Sequence, residues 1–277
     1  MSIPDTQRES WIRRFHPAPD APVRLLCLPH AGGTASYFFP FSQRLAAHGD
    51  AGADVLSVQY PGRQDRRLEP ALEDVTALVD GIHDALAPWN DLPLVLFGHS
   101  MGAVLAFELA RRLEREGKPP LGLIVSGRRS PDILRTDHVH TLGDHALVEE
   151  VRLLSGTDPG VLDDEEILRM VLPALRADFK AIETYRYRAE GTGPALRCPL
   201  SVLTGTSDPR VTPEQAVAWR ELTGGRFTFR AFPGGHFYLA HQQAEVTAAV
   251  VEDLAAFASH AASAPATGAR ERVSARS

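Results

Sequence analysis

Leu94-Val95-Leu96-Phe97-Gly98-His99-Ser100-Met101-Gly102 decides how the rest of the chain is read. Four apolar residues run unbroken into a glycine-flanked serine. Helical spacing begins at once, with Leu105, Leu109 and Leu113 on one stripe of Met101–Glu116. An unbroken apolar run of this length reads as a strand buried on both faces. A serine between glycines where such a strand turns into a helix has the layout of a nucleophile elbow, with Gly98 and Gly102 small because a side chain would clash across the turn. The plainer reading is Ser100 as the N-cap of the helix. The local sequence does not choose between them.

Working outward, short apolar runs recur at Val23–Leu28, Val55–Tyr60, Leu121–Ser126, Leu200–Thr204 and Arg226–Phe232. Helical patterns fall between several of them, at Phe41–His48 and Val75–Ala87 as well as Met101–Glu116. Strands alternating with helices predict an α/β fold, a mostly parallel central sheet flanked by helices. Trp11–Phe15 is expected to add an antiparallel edge strand. The alternation stops over residues 128–194, where Asp144–Leu154 and Asp163–Glu183 are helical in pattern and no strand is evident. A helical insertion placed there reads as a lid over the carboxyl edge of the sheet. Leu168, Met170, Leu172 and Phe179 would then bound a chamber, although their spacing suits plain helix packing equally well. One domain over residues 1–260 follows, with a disordered tail expected at 261–277, where Ala, Ser, Arg, Pro and Gly dominate.

The totals agree with one enzyme-sized globular chain. The 277 residues are 44% apolar, enough for a core without staples. A net charge of −6 gives no footing for nucleic acid. Cys27 and Cys198, both in or beside strand-like runs, read as small buried hydrophobes, not a disulfide. The first residues lack the apolar core of a signal peptide, and no stretch approaches the ~18 apolar residues of a membrane span. A cytoplasmic soluble protein is the expectation.

The second half of the chain resolves the ambiguity at Ser100. Gly205-Thr206-Ser207-Asp208-Pro209 follows the run Leu200–Thr204, and Pro233-Gly234-Gly235-His236-Phe237 follows Arg226–Phe232. Either could be an ordinary turn. Together they supply an acid and then a histidine, each at a strand end, in the order Ser…Asp…His of the α/β-hydrolase fold. In that reading His236 takes the Ser100 proton, and Asp208 holds the imidazole tautomer. Other histidines compete. His99 should point away from the nucleophile and serve packing. His138 and His140 form an H-x-H that could bind metal but lack a third ligand. His241 is the one rival base. For the oxyanion, the Met101 amide follows the nucleophile, and Leu28-Pro29-His30-Ala31-Gly32-Gly33 offers a second amide at Ala31. That turn lacks the spacing of the common phosphate-binding loops.

With these residues assembled, the chain resembles the stand-alone type II thioesterases of polyketide synthases and non-ribosomal peptide synthetases. The likeness rests on Leu28–Gly33, Tyr60-Pro61-Gly62-Arg63, Gly98–Gly102, Ser126-Gly127-Arg128-Arg129-Ser130-Pro131, Leu175-Arg176-Ala177-Asp178-Phe179 and Phe232–Phe237. The resemblance implies Ser100, Asp208 and His236 as catalytic residues, with the Ala31 and Met101 amides as oxyanion hole. It implies acyl thioesters on the phosphopantetheine arm of an acyl or peptidyl carrier protein as substrate, and no metal or other cofactor. Arg128 and Arg129 would lie near the chamber mouth, either steering an acidic carrier or making structural ion pairs. A carboxylesterase, an acyltransferase and a non-catalytic carrier-binding protein are the competing readings.

Overall fold

The computed structural model describes residues 10–133, 137–154 and 164–263. Seven strands form one sheet: β1 (Ile12–Arg13), β2 (Arg24–Leu28), β3 (Asp54–Val58), β4 (Leu94–His99), β5 (Gly122–Ser126), β6 (Leu200–Gly205) and β7 (Phe227–Phe232). Their order is β1-β3-β2-β4-β5-β6-β7. Only β1 runs antiparallel, pairing Ile12 with Val58 and Arg13 with Ser57. The expected edge strand exists, shortened to two residues.

The unbroken apolar runs sort by parity. From β2, Leu26 and Leu28 enter one core, while Leu25 and Cys27 enter the other. Leu96 parts likewise from Val95 and Phe97 in β4, and Leu123 and Val125 from Ile124 in β5. Successive side chains on a strand point to opposite faces, so both faces are covered. The first is covered by α2 (Val75–Ala85) and α3 (Met101–Arg115), through Leu78, Ile82, Leu105 and Leu109. The second is covered by α1 (Phe39–Ala46) and a C-terminal helix, Gln243–Ser263, through Phe41, Leu45, Val250 and Phe257.

Between β5 and β6 lie α4 (Asp144–Leu153) and α5 (Glu165–Thr184). They form a small core of their own from Val139, Leu147, Val148, Val151, Leu172, Leu175 and Phe179. Asp164 caps α5 by accepting from the amides of Glu166 and Ile167. Three further α-helices complete the described residues: α6 (Pro213–Val217), α7 (Tyr238–His241) and α8, the C-terminal helix just given. A capping box between Thr212 and Gln215 starts α6. α8 continues through Ser263, so the tail expected at 261 begins no earlier than 264; the rest of that expectation lies outside the described residues. Among the described residues no helix is long and apolar enough to cross a membrane. Cys27 and Cys198 are buried and unpaired.

Register brings the functional loops together. β2 and β4 are neighbours with Leu28 opposite Gly98, so the turn after β2 emerges beside Ser100. His99 lies opposite Ser126 at the end of β5. β6 and β7 end together, Gly205 opposite Phe232, which sets the Asp208 and His236 loops side by side. Chain direction changes sides of β2 here, and the carboxyl ends at such a switch point are where open α/β sheets form crevices.

Candidate active site

Ser100 sits between β4 and α3 with φ +56° and ψ −112°. This backbone is strained for a residue with a Cβ. The neighbouring glycines permit it: a Cβ on Gly98 would lie 2.1 Å from the Gly102 carbonyl oxygen. The Ser100 amide is bonded to the Ser126 carbonyl at 2.8 Å, and its side chain makes no cap bond to the helix. The N-cap reading therefore does not hold.

His236 Nδ1 is 2.8 Å from Asp208 Oδ2, and His236 Nε2 is 2.9 Å from Ser100 Oγ. An ionised carboxylate only accepts, so Nδ1 carries the proton and Nε2 is left to accept from the Ser100 hydroxyl. The Asp208 side chain is fully buried. Its other oxygen, Oδ1, accepts the Arg210 amide at 2.8 Å. The imidazole is thus fixed in tautomer and orientation by a carboxylate that is itself held at both oxygens.

The floor beneath His236 is aromatic and neutral. His99 is fully buried, with its ring centroid 5.2 Å from that of His236. Its Nδ1 pairs with Ser126 Oγ at 2.9 Å, and Ser126 Oγ lies 2.7 Å from the Tyr238 hydroxyl. His99 is the packing residue expected, and it supports His236 from below. His30 packs edge-on against Tyr37 and Phe237. Burial, reinforced by repulsion from a protonated His236 and then from Arg63, pushes the His30 pKa down to about 3. Burial likewise takes His99 well below the usual histidine range. The rivals named from sequence lie elsewhere. His241 is exposed at the end of α7. His140 bonds Glu183 on α5, and among the described residues no group of three metal-ligating side chains converges.

Ala31 and Met101 border the same chamber as Ser100 and His236. Among the described residues neither backbone N–H is hydrogen-bonded within the protein. The chamber holds about 190 Å³. Val171, Leu175, Phe179 and Ile182 of α5 line it, so the insertion does roof the site. Of the four residues weighed between chamber and packing, Phe179 faces the chamber. Leu172 and Leu168 pack within the insertion, and Met170 is exposed at 56%.

Arg128 and Arg129 reach the chamber, Arg128 half-buried and Arg129 buried. Both line the chamber, and Arg129 is buried with Nε donating to the Ile133 carbonyl. Sequence reasoning missed this because an arginine pair after a strand looks the same whether it faces solvent or a cavity. It also gave no role to Arg63 and Asp178, which meet in a buried ion pair across 115 residues. Each sits in a stretch quoted above for its resemblance, but no spacing announces a partner that distant.

A nucleophile elbow, a serine–histidine–aspartate relay and two open amides at the carboxyl edge of a mostly parallel sheet define an α/β hydrolase. Comparison with known proteins narrows the class. A family model described as a thioesterase domain matches residues 23–257. The thioesterase PikA5 of Streptomyces venezuelae is 52% identical over 238 residues, covering 85% of this chain and 82% of that protein. A probable cadicidin biosynthesis thioesterase of Streptomyces griseus is 50% identical over 254 residues, 92% of this chain and 68% of that one. Among solved structures, the type II thioesterase BorB from the borrelidin biosynthetic cluster superposes with a TM-score of 0.79 at 49% identity, over 88% of this chain and 97% of BorB. The chain belongs to the thioesterase family.

Proposed function

We propose that this chain is a type II thioesterase that hydrolyses acyl thioesters from the phosphopantetheine arm of acyl or peptidyl carrier proteins, clearing or releasing chains from a polyketide or non-ribosomal peptide assembly line. The observation that carries the chemistry is the unbroken relay Asp208 Oδ2–His236–Ser100 Oγ opening onto an apolar chamber. The substrate class is supported by relatives named for polyketide and peptide pathways, including a type II thioesterase of the yersiniabactin pathway at 31% identity.

Ser100 Oγ attacks the thioester carbonyl as its proton passes to His236 Nε2. Negative charge gathers on the carbonyl oxygen, which the Ala31 and Met101 amides receive. The carbon–sulfur bond then breaks, and His236 returns the proton to the departing pantetheine thiolate. Water next donates a proton to His236 and attacks the acyl-serine ester. The same amides hold the second oxyanion until Ser100 leaves reprotonated and the free acid departs. Asp208 stabilises the imidazolium in both halves without taking its proton. The reading needs no metal and no cofactor of its own, since phosphopantetheine arrives on the carrier. It places the enzyme in the cytoplasm with the carriers it serves.

The test is hydrolysis of acyl-carrier protein followed by intact-protein mass spectrometry, beside oxygen esters of matched acyl length. Loss of the acyl group as free acid, with a marked preference for the carrier thioester, is expected. Preference for oxygen esters, or transfer to an alcohol or amine instead of water, would overturn the assignment. So would carrier binding without labelling of Ser100 by a fluorophosphonate.

A further inference from the structure

The ion pair of Arg63 and Asp178 lies outside the relay yet reaches it. Asp178 is on α5 in the insertion, and Arg63 follows β3. Their side chains are 6% and 0% exposed. Arg63 Nη1 donates to Oδ2 at 2.6 Å and Nη2 to Oδ1 at 2.8 Å, the parallel fork that guanidinium and carboxylate favour. Burial alone would depress the Arg63 pKa; the adjacent Asp178 outweighs it, and the group is held above its ordinary value.

Such a pair is weak evidence for stability, because two apolar side chains of similar volume commonly do as well. Apolar side chains could not make the remaining bonds. Asp178 Oδ2 also accepts the Gly32 amide at 2.7 Å, and Arg63 Nη1 donates to the Gly33 carbonyl at 3.2 Å. Both glycines belong to the turn that presents Ala31. Gly33 N–H closes that turn on the His30 carbonyl at 2.9 Å, and Gly32 takes φ +74°, as the third residue of a type II turn does. The His30 carbonyl and the Ala31 N–H share one peptide plane, and the Gly32 N–H belongs to the next. Holding both planes leaves the Ala31 N–H one direction. α5 adds a steric contact: a Cβ on Gly32 would lie 2.8 Å from Leu175 Cδ1.

We propose that Arg63 and Asp178 are positioning residues for the Ala31 amide, so that the insertion helix completes the oxyanion site by holding the Ala31–Gly32 peptide through Asp178 Oδ2. This rests on the reading of Ser100 and Ala31 given above. The pair's charges are incidental to it; the acceptor for the Gly32 N–H is what matters.

Two double variants separate acceptor from charge. Arg63→Met/Asp178→Asn removes both charges but keeps a carbonyl oxygen for Gly32. Arg63→Met/Asp178→Leu removes the acceptor as well. The expected result is that the leucine double variant loses about 10- to 100-fold in kcat against the asparagine one, with KM little changed. Affinity for an acyl trifluoromethyl ketone, which forms an oxyanion on Ser100, should fall by the same factor. If either double variant fails to fold, Arg63→Lys and Asp178→Ala, which removes the acceptor, make the comparison singly. Arg63→Lys, which keeps the Asp178–Gly32 bond, should then retain kcat. A drop in ketone affinity in Arg63→Lys as large as in Asp178→Ala, or equal values in the two double variants, would overturn the proposal. Wild type and Ser100→Ala run alongside. Failure of wild type to hydrolyse the carrier thioester would sink the thioesterase reading instead.

Discussion

Gly102 lies directly beneath Leu28: a Cβ built on it would stand 2.0 Å from the Leu28 carbonyl oxygen. The first turn of α3 and the end of β2 are therefore in backbone contact, and that contact sets Met101 beside the turn carrying Ala31. Gly102→Ala must push the two elements apart. We expect a loss of about 3 kcal/mol or more in urea unfolding. In any folded fraction, kcat should fall more than KM rises. A variant with wild-type stability would show that the contact relaxes freely.

Ser100→Ala should lower turnover by about 10⁴-fold or more and abolish fluorophosphonate labelling, with little change in melting temperature. Asp208→Asn should cost about 10⁴-fold, because a side-chain amide can present N–H to Nδ1 and leave the proton on the wrong nitrogen. Stopped-flow assay on an acyl-carrier substrate measures both. Unchanged hydrolysis in Ser100→Ala would remove it as nucleophile.

His30, half-buried, and His99, fully buried, are neutral, with folded pKa values below the ordinary 6.5 of an unfolded histidine. The sign follows from proton counts. Below about pH 6.5 the unfolded chain binds protons that the folded chain refuses, so stability is full above that pH and falls with acid. For His30 the loss runs from about 6.5 down to about 3. Each histidine contributes a slope approaching about 1.4 kcal/mol per pH unit. Urea midpoints measured from pH 7.5 to 5 should show this fall, and His30→Phe should remove one proton's share. A flat profile would mean that both rings protonate in place.

Arg128 borders the chamber with its Nε buried and, among the described residues, without a hydrogen-bond partner. Burial first, then the charge of Arg129, brings its pKa down to about 9. The nearby acids are occupied: Asp137 pairs with Arg210, and Glu183 accepts from the Val139 and His140 amides. Replacing a poorly compensated cation by Arg128→Leu should raise stability by about 1 kcal/mol or more. It should also shift preference from oxygen-bearing acyl chains toward plain alkyl chains of equal length. Thermal melts and competition between paired substrates check the two effects. Destabilisation would mean that the folded protein already satisfies the guanidinium.

The strands, their mostly parallel order and the Ser100, Asp208 and His236 loops were legible because each is written locally. An apolar run ends, a turn follows, and the candidate residue sits in that turn. Strand limits moved by one or two residues, as with Val55–Tyr60, which becomes β3 at Asp54–Val58. The burial of Arg129 was not legible, because it depends on how α5 folds back over the strand ends. The bond from Asp178 to Gly32 was hidden for the same reason, spanning 146 residues. α8 was passed over because alanine-rich apolar stretches with scattered charges carry a weak helical signature beside Leu105, Leu109 and Leu113.

The backbone at Ser100 has a consequence for what could ever replace it. At φ +56° a second substituent on Cβ meets the adjoining backbone, so threonine and the other β-branched residues are excluded, whatever their chemistry. Of the small hydroxyl and thiol side chains, cysteine is the one other that has an unbranched Cβ and can attack a carbonyl. Of the hydroxyl and thiol nucleophiles that proteins use, this fold leaves its descendants only one way to change theirs.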